Sequence, residues 1–391
     1  MVRDAGSDTR SGRTVHTNEP PIPSRKPRRT RRRWVLAALA LSISCSLSVI
    51  LVEGILRLAD PIGLNYEGET LAYFTAAIDY EWQSLQPSSQ GALPEGLDLD
   101  ARLFAHKPDL DVSIGSFSLR TNSLRCRGPE ISEAKPDDVF RIVVLGDSVA
   151  FGWGVDDEVT FVRRLEREWN AAGHRQRLEV INTGHPKYDS NQEAAMLRQL
   201  GLKLQPDLVL LVYVTNDLAE PTRDLIETLL TGAVSHADEQ VVIPDDAWSS
   251  LEKMLQPLLP ATAKLLGART NLNRRVSQLF PDGESYAPEL FGAGPRGWQR
   301  SQASLLDIQG MCKQADVPFV LFDHTLPRVE SLRSFCEQQG IDYEPFWFDE
   351  QDLALGITNS WLDSHANARG HDLLLGRLRA ALEKRGLLPR D

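Results

Sequence analysis

The stretch that decides the fold is Arg141-Ile142-Val143-Val144-Leu145-Gly146-Asp147-Ser148. Four consecutive apolar residues, two of them valines, suit a strand buried on both faces, and Gly146 ends it. Outward from it the same punctuation repeats. Val159–Trp169 has the spacing of an amphipathic helix, Leu178–Ile181 reads as a strand and Gln192–Leu202 as a helix. Asp207–Val214 is a nearly unbroken apolar strand. Further on, Trp298–Ala315 reads as helix, Val317–Phe322 as strand, Arg328–Gln339 as helix and Asp342–Trp347 as strand. Ala368–Arg385 closes the chain as a helix. Strand and helix alternate, which predicts a parallel sheet covered on both faces.

Sites in such sheets form beyond the carboxyl ends of the strands, so the residues after each apolar run come next. Gly146-Asp147-Ser148 follows the first strand. A glycine before the serine allows a sharp turn that exposes a hydroxyl and aims a backbone N–H at the same place. Asn182-Thr183-Gly184 follows the second strand, where Gly184 lets backbone approach a ligand. Thr215-Asn216-Asp217 follows the third, and the Asn216 amide is a hydrogen-bond donor. Asp363-Ser364-His365 precedes the last helix, and a histidine beside a carboxylate suits a general base held in one tautomer. Each of these also fits an ordinary turn or helix cap when taken alone. Together they supply a nucleophile, oxyanion donors and a base from four separate loops.

The rest of the chain bounds the setting. The 391 residues carry a net charge of −11. Residues 1–33 are net +7 and the remainder net −18, an acidic body that disfavours nucleic acid as a partner. Trp34–Val52 is uncharged over 19 residues, spanning about 28 Å as a helix, one hydrocarbon core. Seven basic residues from Arg25 to Arg33 precede it and predict a cytoplasmic N-terminus. The expected organisation is a disordered basic tail at 1–33 and a transmembrane anchor at 34–56 in the inner membrane. A membrane-proximal region at 60–135 and a domain at 136–391 then lie in the periplasm or outside the cell. The sequence after the apolar run, Glu53-Gly54-Ile55-Leu56-Arg57, is a poor cleavage site. Twin-arginine and lipoprotein readings fit the flanks less well. Within 60–135, Val112–Arg120 alternates like a strand. Residues 221–297 interrupt the alternation and read as an insertion, a lid or partner surface. Cys126, Cys312 and Cys336 allow at most one disulfide, and buried free thiols fit equally.

The four blocks resemble those of the SGNH, or GDSL, hydrolases: Gly146-Asp147-Ser148, Gly184, Asn216-Asp217 and Asp363-Ser364-His365. The resemblance runs from about Phe140 to Leu387. The segment Thr121-Asn122-Ser123-Leu124-Arg125-Cys126-Arg127-Gly128-Pro129 and the Asn182/Gly184/Tyr188/Gln192 pattern resemble membrane-anchored bacterial members. It implies a three-layer α/β/α, flavodoxin-like fold with no metal and no organic cofactor. By the same resemblance Ser148 is the nucleophile, His365 the base and Asp363 its orienting carboxylate. The oxyanion hole is then built from the Ser148 and Gly184 N–H groups and the Asn216 side chain. His371, Asp147 and Asp217 are expected as structural partners. Two departures stand out: Val214 replaces the usual glycine of the third block, and Leu362 replaces the usual aspartate three residues before the histidine.

The expected function is a membrane-anchored serine esterase cutting acyl, expectedly acetyl, esters of carbohydrate or lipid. One alternative is an O-acyltransferase of envelope polysaccharide, with a sugar hydroxyl in place of water. The other is a catalytically silent envelope-binding protein.

Overall fold

The computed structural model describes residues 28–59, 63, 66–80, 104–218, 259, 296–325, 328–360 and 363–389. The tail before residue 28, the loop at Pro87–Gly91, nearly all of the expected 221–297 insertion, and Leu362 lie outside the described residues. The chain divides into two compact units, Met1–Gly54 and Ile55–Asp391. The described part of the first is most of a single helix, α1 (Arg28–Ala59). Its stretch Arg32–Leu56 is long and apolar enough to cross a membrane. Its side chains from Trp34 to Val52 are exposed.

The second unit begins with α2 (Tyr66–Ala76), followed by a two-stranded antiparallel pair, β1 (Ile78–Tyr80) and β2 (Phe104–His106). The Val112–Arg120 stretch is not one strand. It folds as a hairpin, β3 (Asp111–Ile114) against β4 (Phe117–Arg120). Gly115 takes φ +73° at the turn, a conformation that costs glycine little and breaks the alternation the sequence suggested. Phe104, Ile114, Phe117 and Leu119 are buried in the same apolar cluster as sheet residues, so this region shares the main core.

The sheet is five-stranded and wholly parallel: β5 (Val139–Gly146), β6 (Arg177–Asn182), β7 (Leu208–Tyr213), β8 (Phe319–Asp323) and β9 (Asp342–Pro345). Their order across the sheet is β6-β5-β7-β8-β9. This is the flavodoxin-like order, whose crossover direction reverses at the first strand, here β5. Between the strands come α3 (Ser148–Phe151), α4 (Phe161–Ala171), α5 (Ser190–Gln199), α6 (Arg296–Gln314) and α7 (Glu330–Gln339), and after the last strand α8 (Glu350–Leu353) and α9 (Ala368–Arg385).

Both faces of β5 are apolar because both are covered. Val143 and Leu145 pack with α5, α6 and α7 through Leu197, Leu305 and Leu332. Ile142 and Val144 pack with α4 and α9 through Leu165, Leu374 and Leu378. Arg141, fully buried at the start of β5, meets Glu179 at 2.5 Å and the Leu204 carbonyl at 2.6 Å, so its charge is paired rather than stranded. Cys126, Cys312 and Cys336 are buried free thiols, and burial pushes the latter two up to about 12.

Candidate active site

β5 ends at Gly146, whose φ of +146° excludes other residues. A Cβ there would stand 2.7 Å from the Ala150 Cβ and 3.0 Å from the Val212 carbonyl. The chain turns at once into α3, whose first residue is Ser148. The Ser148 Oγ lies 2.8 Å from His365 Nε2, across 217 positions of sequence. On the other side of the ring, His365 Nδ1 lies 2.5 Å from Asp363 Oδ1. A carboxylate only accepts, so Nδ1 carries the proton and Nε2 presents its lone pair to the hydroxyl. Asp363 is buried, its other oxygen accepts from Asn359 Nδ2 at 3.1 Å, and Asn359 also holds the Trp153 carbonyl at 3.1 Å. The His365 ring is flanked by Tyr66 and Trp153, at 5.9 and 6.2 Å between centroids.

Asn216 sits on a 3-10 turn, Thr215–Leu218, directly after β7. Its amide donates to Asp147 Oδ2 at 3.0 Å. The same Asp147 oxygen stands 3.0 Å from Ser148 Oγ as a second acceptor, competing with His365 Nε2 for the one hydroxyl proton, and Oδ1 caps the Val149 N–H at 2.9 Å. Asp147 therefore does more than stabilise a turn: it ties the nucleophile loop to the Asn216 loop. Asp217 is buried beneath, accepting from the Val214 N–H at 2.7 Å and from Ser190 at 3.1 Å. Beside it lies buried Glu193, whose oxygens have no hydrogen-bond partner among the described residues. Burial first, and then the neighbouring Asp217, push the Glu193 carboxyl well above the usual carboxylate range, which favours its neutral form.

Gly184 departs from expectation. It is buried behind the nucleophile turn, and its N–H is donated to Asn182 Oδ1 at 3.0 Å rather than held toward the cavity. Glycine is needed there for close packing: a Cβ would stand 2.6 Å from the Phe151 nitrogen. From the same loop Pro186 and Lys187 line the cavity, Lys187 with φ +74°. That backbone conformation is uncommon for a residue with a side chain. The cavity holds about 290 Å³. Ser148, Asn216, Val214 and His365 line it together with Tyr66, Thr70 and Phe74 of α2. His371 is not among the residues lining the cavity. It accepts from the Phe161 N–H at 3.2 Å and stacks on Phe161, and burial lowers its pKa to about 3.

Sequence reasoning missed Asn359, Lys187, the α2 wall and Arg127. The buried Arg127 guanidinium meets the carbonyls of Phe151 at 2.8 Å, Gly152 at 2.9 Å and Val155 at 2.6 Å. It thus caps the end of the helix that carries Ser148. The signal was the 121–129 segment itself: Asn122 Oδ1 accepts from the N–H groups of Leu124 and Cys126, shaping the loop that delivers Arg127.

Residues 144–373, more than half of the chain, match the GDSL-like lipase/acylhydrolase family. Among solved structures, the chain is similar to a GDSL-like lipase from Bacteroides thetaiotaomicron at 12% identity and a TM-score of 0.34, covering 65% of this chain and 93% of that one. It is similar to the psychrotrophic esterase EstA from Pseudoalteromonas sp. at 14% identity and 0.36, covering 63% and 99%. An acetyl xylan esterase gives 11% and 0.36, covering 62% and 100%. No curated protein matches the chain.

Proposed function

Since the chain belongs to the GDSL-like lipase/acylhydrolase family and is a hydrolase acting on ester bonds, we propose that Ser148, His365 and Asp363 are its catalytic triad. The observation that carries this reading is the unbroken run from Asp363 Oδ1 through the His365 ring to Ser148 Oγ, at 2.5 and 2.8 Å. His365 Nε2 takes the hydroxyl proton as Oγ bonds to the ester carbonyl carbon. The oxyanion formed is held by the Ser148 N–H, which as the first of α3 has no helical acceptor, and by the Asn216 amide. The C–O bond then breaks, the leaving alkoxide takes the proton from His365, and an acyl-serine remains. Water repeats the sequence with His365 as base and releases the acid. Gly184 serves this site by letting the loop after β6 pack on the nucleophile turn.

The proposed substrate is an acyl ester of carbohydrate or lipid, with an acetyl group the simplest. The protein is proposed to be held in the inner membrane by α1, with its basic N-terminus cytoplasmic and the catalytic unit on the outer side. The test is an acyl-ester panel with product analysis, run with and without a glycan acceptor. The wild-type chain is expected to release free acid, and Ser148→Ala to lose turnover to background. Turnover surviving in Ser148→Ala contradicts the reading. Acyl groups appearing on the glycan in place of free acid assign the chain to transfer rather than hydrolysis.

A further inference from the structure

The cavity wall holds a second imidazole, His324, that the mechanism leaves without a task. It follows β8 directly, and its backbone N–H donates to the Tyr213 carbonyl at 2.8 Å, which fixes it against the end of β7. Its Nδ1 lies 2.9 Å from the Phe346 carbonyl. A carbonyl only accepts, so the proton sits on Nδ1 and the neutral ring keeps a lone pair on Nε2. The ring stands edge-on to Phe348, 5.2 Å between centroids at 85°, which fixes its plane. Burial lowers its pKa below the ordinary histidine value, outweighing the opposing pull of the Phe346 carbonyl and of Asp147. The ring is therefore neutral at neutral pH. Its Nε2 has no hydrogen-bond partner among the described residues.

An acceptor fixed in the wall of a largely apolar cavity is costly to cover with hydrocarbon and favourable to cover with a donor. We propose that His324 Nε2 accepts a hydrogen bond from a hydroxyl of the bound ester, so that the substrate is an ester of a polyhydroxylated alcohol, a carbohydrate, rather than of a hydrocarbon alcohol. The proposal rests on Ser148 being the nucleophile, since that places the ester in this cavity. The aromatic wall agrees with it: Tyr66, Phe74, Trp153 and Phe348 line the same space, as rings that pack against the C–H faces of a sugar would. If His324 served packing alone, its Nδ1–H bond to Phe346 would suffice and substrate choice would not depend on it.

The test compares a methyl glycoside monoacetate having free neighbouring hydroxyls with its O-methylated counterpart and with 4-nitrophenyl acetate. On the full chain, kcat/KM for the hydroxylated ester is expected to exceed that for the O-methylated ester at least tenfold. In His324→Leu the ratio of hydroxylated ester to 4-nitrophenyl acetate is expected to fall at least tenfold, mainly through KM. In His324→Gln, which keeps an acceptor oxygen, it falls less. Equal rates on the two glycoside esters, or a ratio unmoved by His324→Leu, overturn the inference. If His324→Leu does not fold, the two-ester comparison on the unaltered chain decides alone. Failure of the nucleophile assignment reads out separately, as 4-nitrophenyl acetate turnover that survives Ser148→Ala.

Discussion

Asp147 joins the Ser148 hydroxyl, the Asn216 amide and the Val149 N–H through its two oxygens. A substitution at Asn216 removes one donor and its tie to Asp147, while the Asp363–His365–Ser148 contacts remain. Asn216→Ala is expected to lower kcat by about a hundredfold or more, the usual consequence of losing one oxyanion donor. Steady-state kinetics on a soluble acetyl ester measures it, and a loss confined to KM would contradict the assignment. At this scale the sequence was most legible where a polar side chain itself does the work. Ser148, Asn216, Asp363 and His365 each stand just after an apolar strand or before a helix; hydrogen bonds join Asp363, His365 and Ser148 directly, and Asn216 reaches Ser148 through Asp147. It was least legible where the contribution is a backbone angle or a carbonyl contact. Nothing in the residue type marks Lys187 as taking φ +74°, or Arg127 as gathering three carbonyls. Gly184 was read as a ligand contact because glycine permits close approach. The partner it approaches is the Phe151 nitrogen.

Strands buried on both faces announce themselves, and β5 to β8 lie where the apolar runs stand, shifted by a few residues at their ends, whereas the edge strand β9 (Asp342–Pro345) is exposed or half-buried along its length and has no apolar run of its own. The last helix has the bounds that its spacing suggested, Ala368–Arg385, with Asn367 as its cap. The hairpin of β3 and β4 was read as one strand because Gly115-Ser116 is too short a break to interrupt a loose alternation. Strand order was not legible, since hydrophobic pattern says that a strand is buried and not which neighbour it has. The packing of α9 on α4 carries a pH dependence. His371, in the first turn of α9, is buried neutral against Phe161 with its pKa lowered to about 3. In the unfolded chain it takes up a proton near pH 6.5, which the folded state refuses. Its contribution is complete above that pH and is lost as pH falls toward 3, at up to about 1.4 kcal/mol per pH unit. Denaturant unfolding between pH 7 and 4 should show a shallower decline for His371→Gln than for the wild type. Parallel curves would contradict it.

For the whole molecule, the N-terminal helix and the catalytic unit are separable in sequence. The cavity wall begins at Tyr66, downstream of the apolar stretch Arg32–Leu56. If α1 anchors the chain as proposed, removing residues 1–59 converts a chain that sediments with membranes into a soluble one whose kcat/KM on 4-nitrophenyl acetate stays within about threefold of the full chain. Sedimentation and kinetics on the two forms check it, and a truncated chain that still sediments with membranes contradicts it. The family match covers only residues 144–373, yet Tyr66, Thr70 and Phe74 belong to the cavity. The upstream region is thus part of the enzyme's working surface. The central claim is that Asp363, His365 and Ser148 form one reacting line, and mass spectrometry of the chain treated with a serine-reactive phosphonate tests it most directly. The account predicts one stoichiometric adduct on the peptide containing Ser148, formed far more slowly in His365→Ala. A folded chain that takes no label, or takes it on another residue, would contradict it.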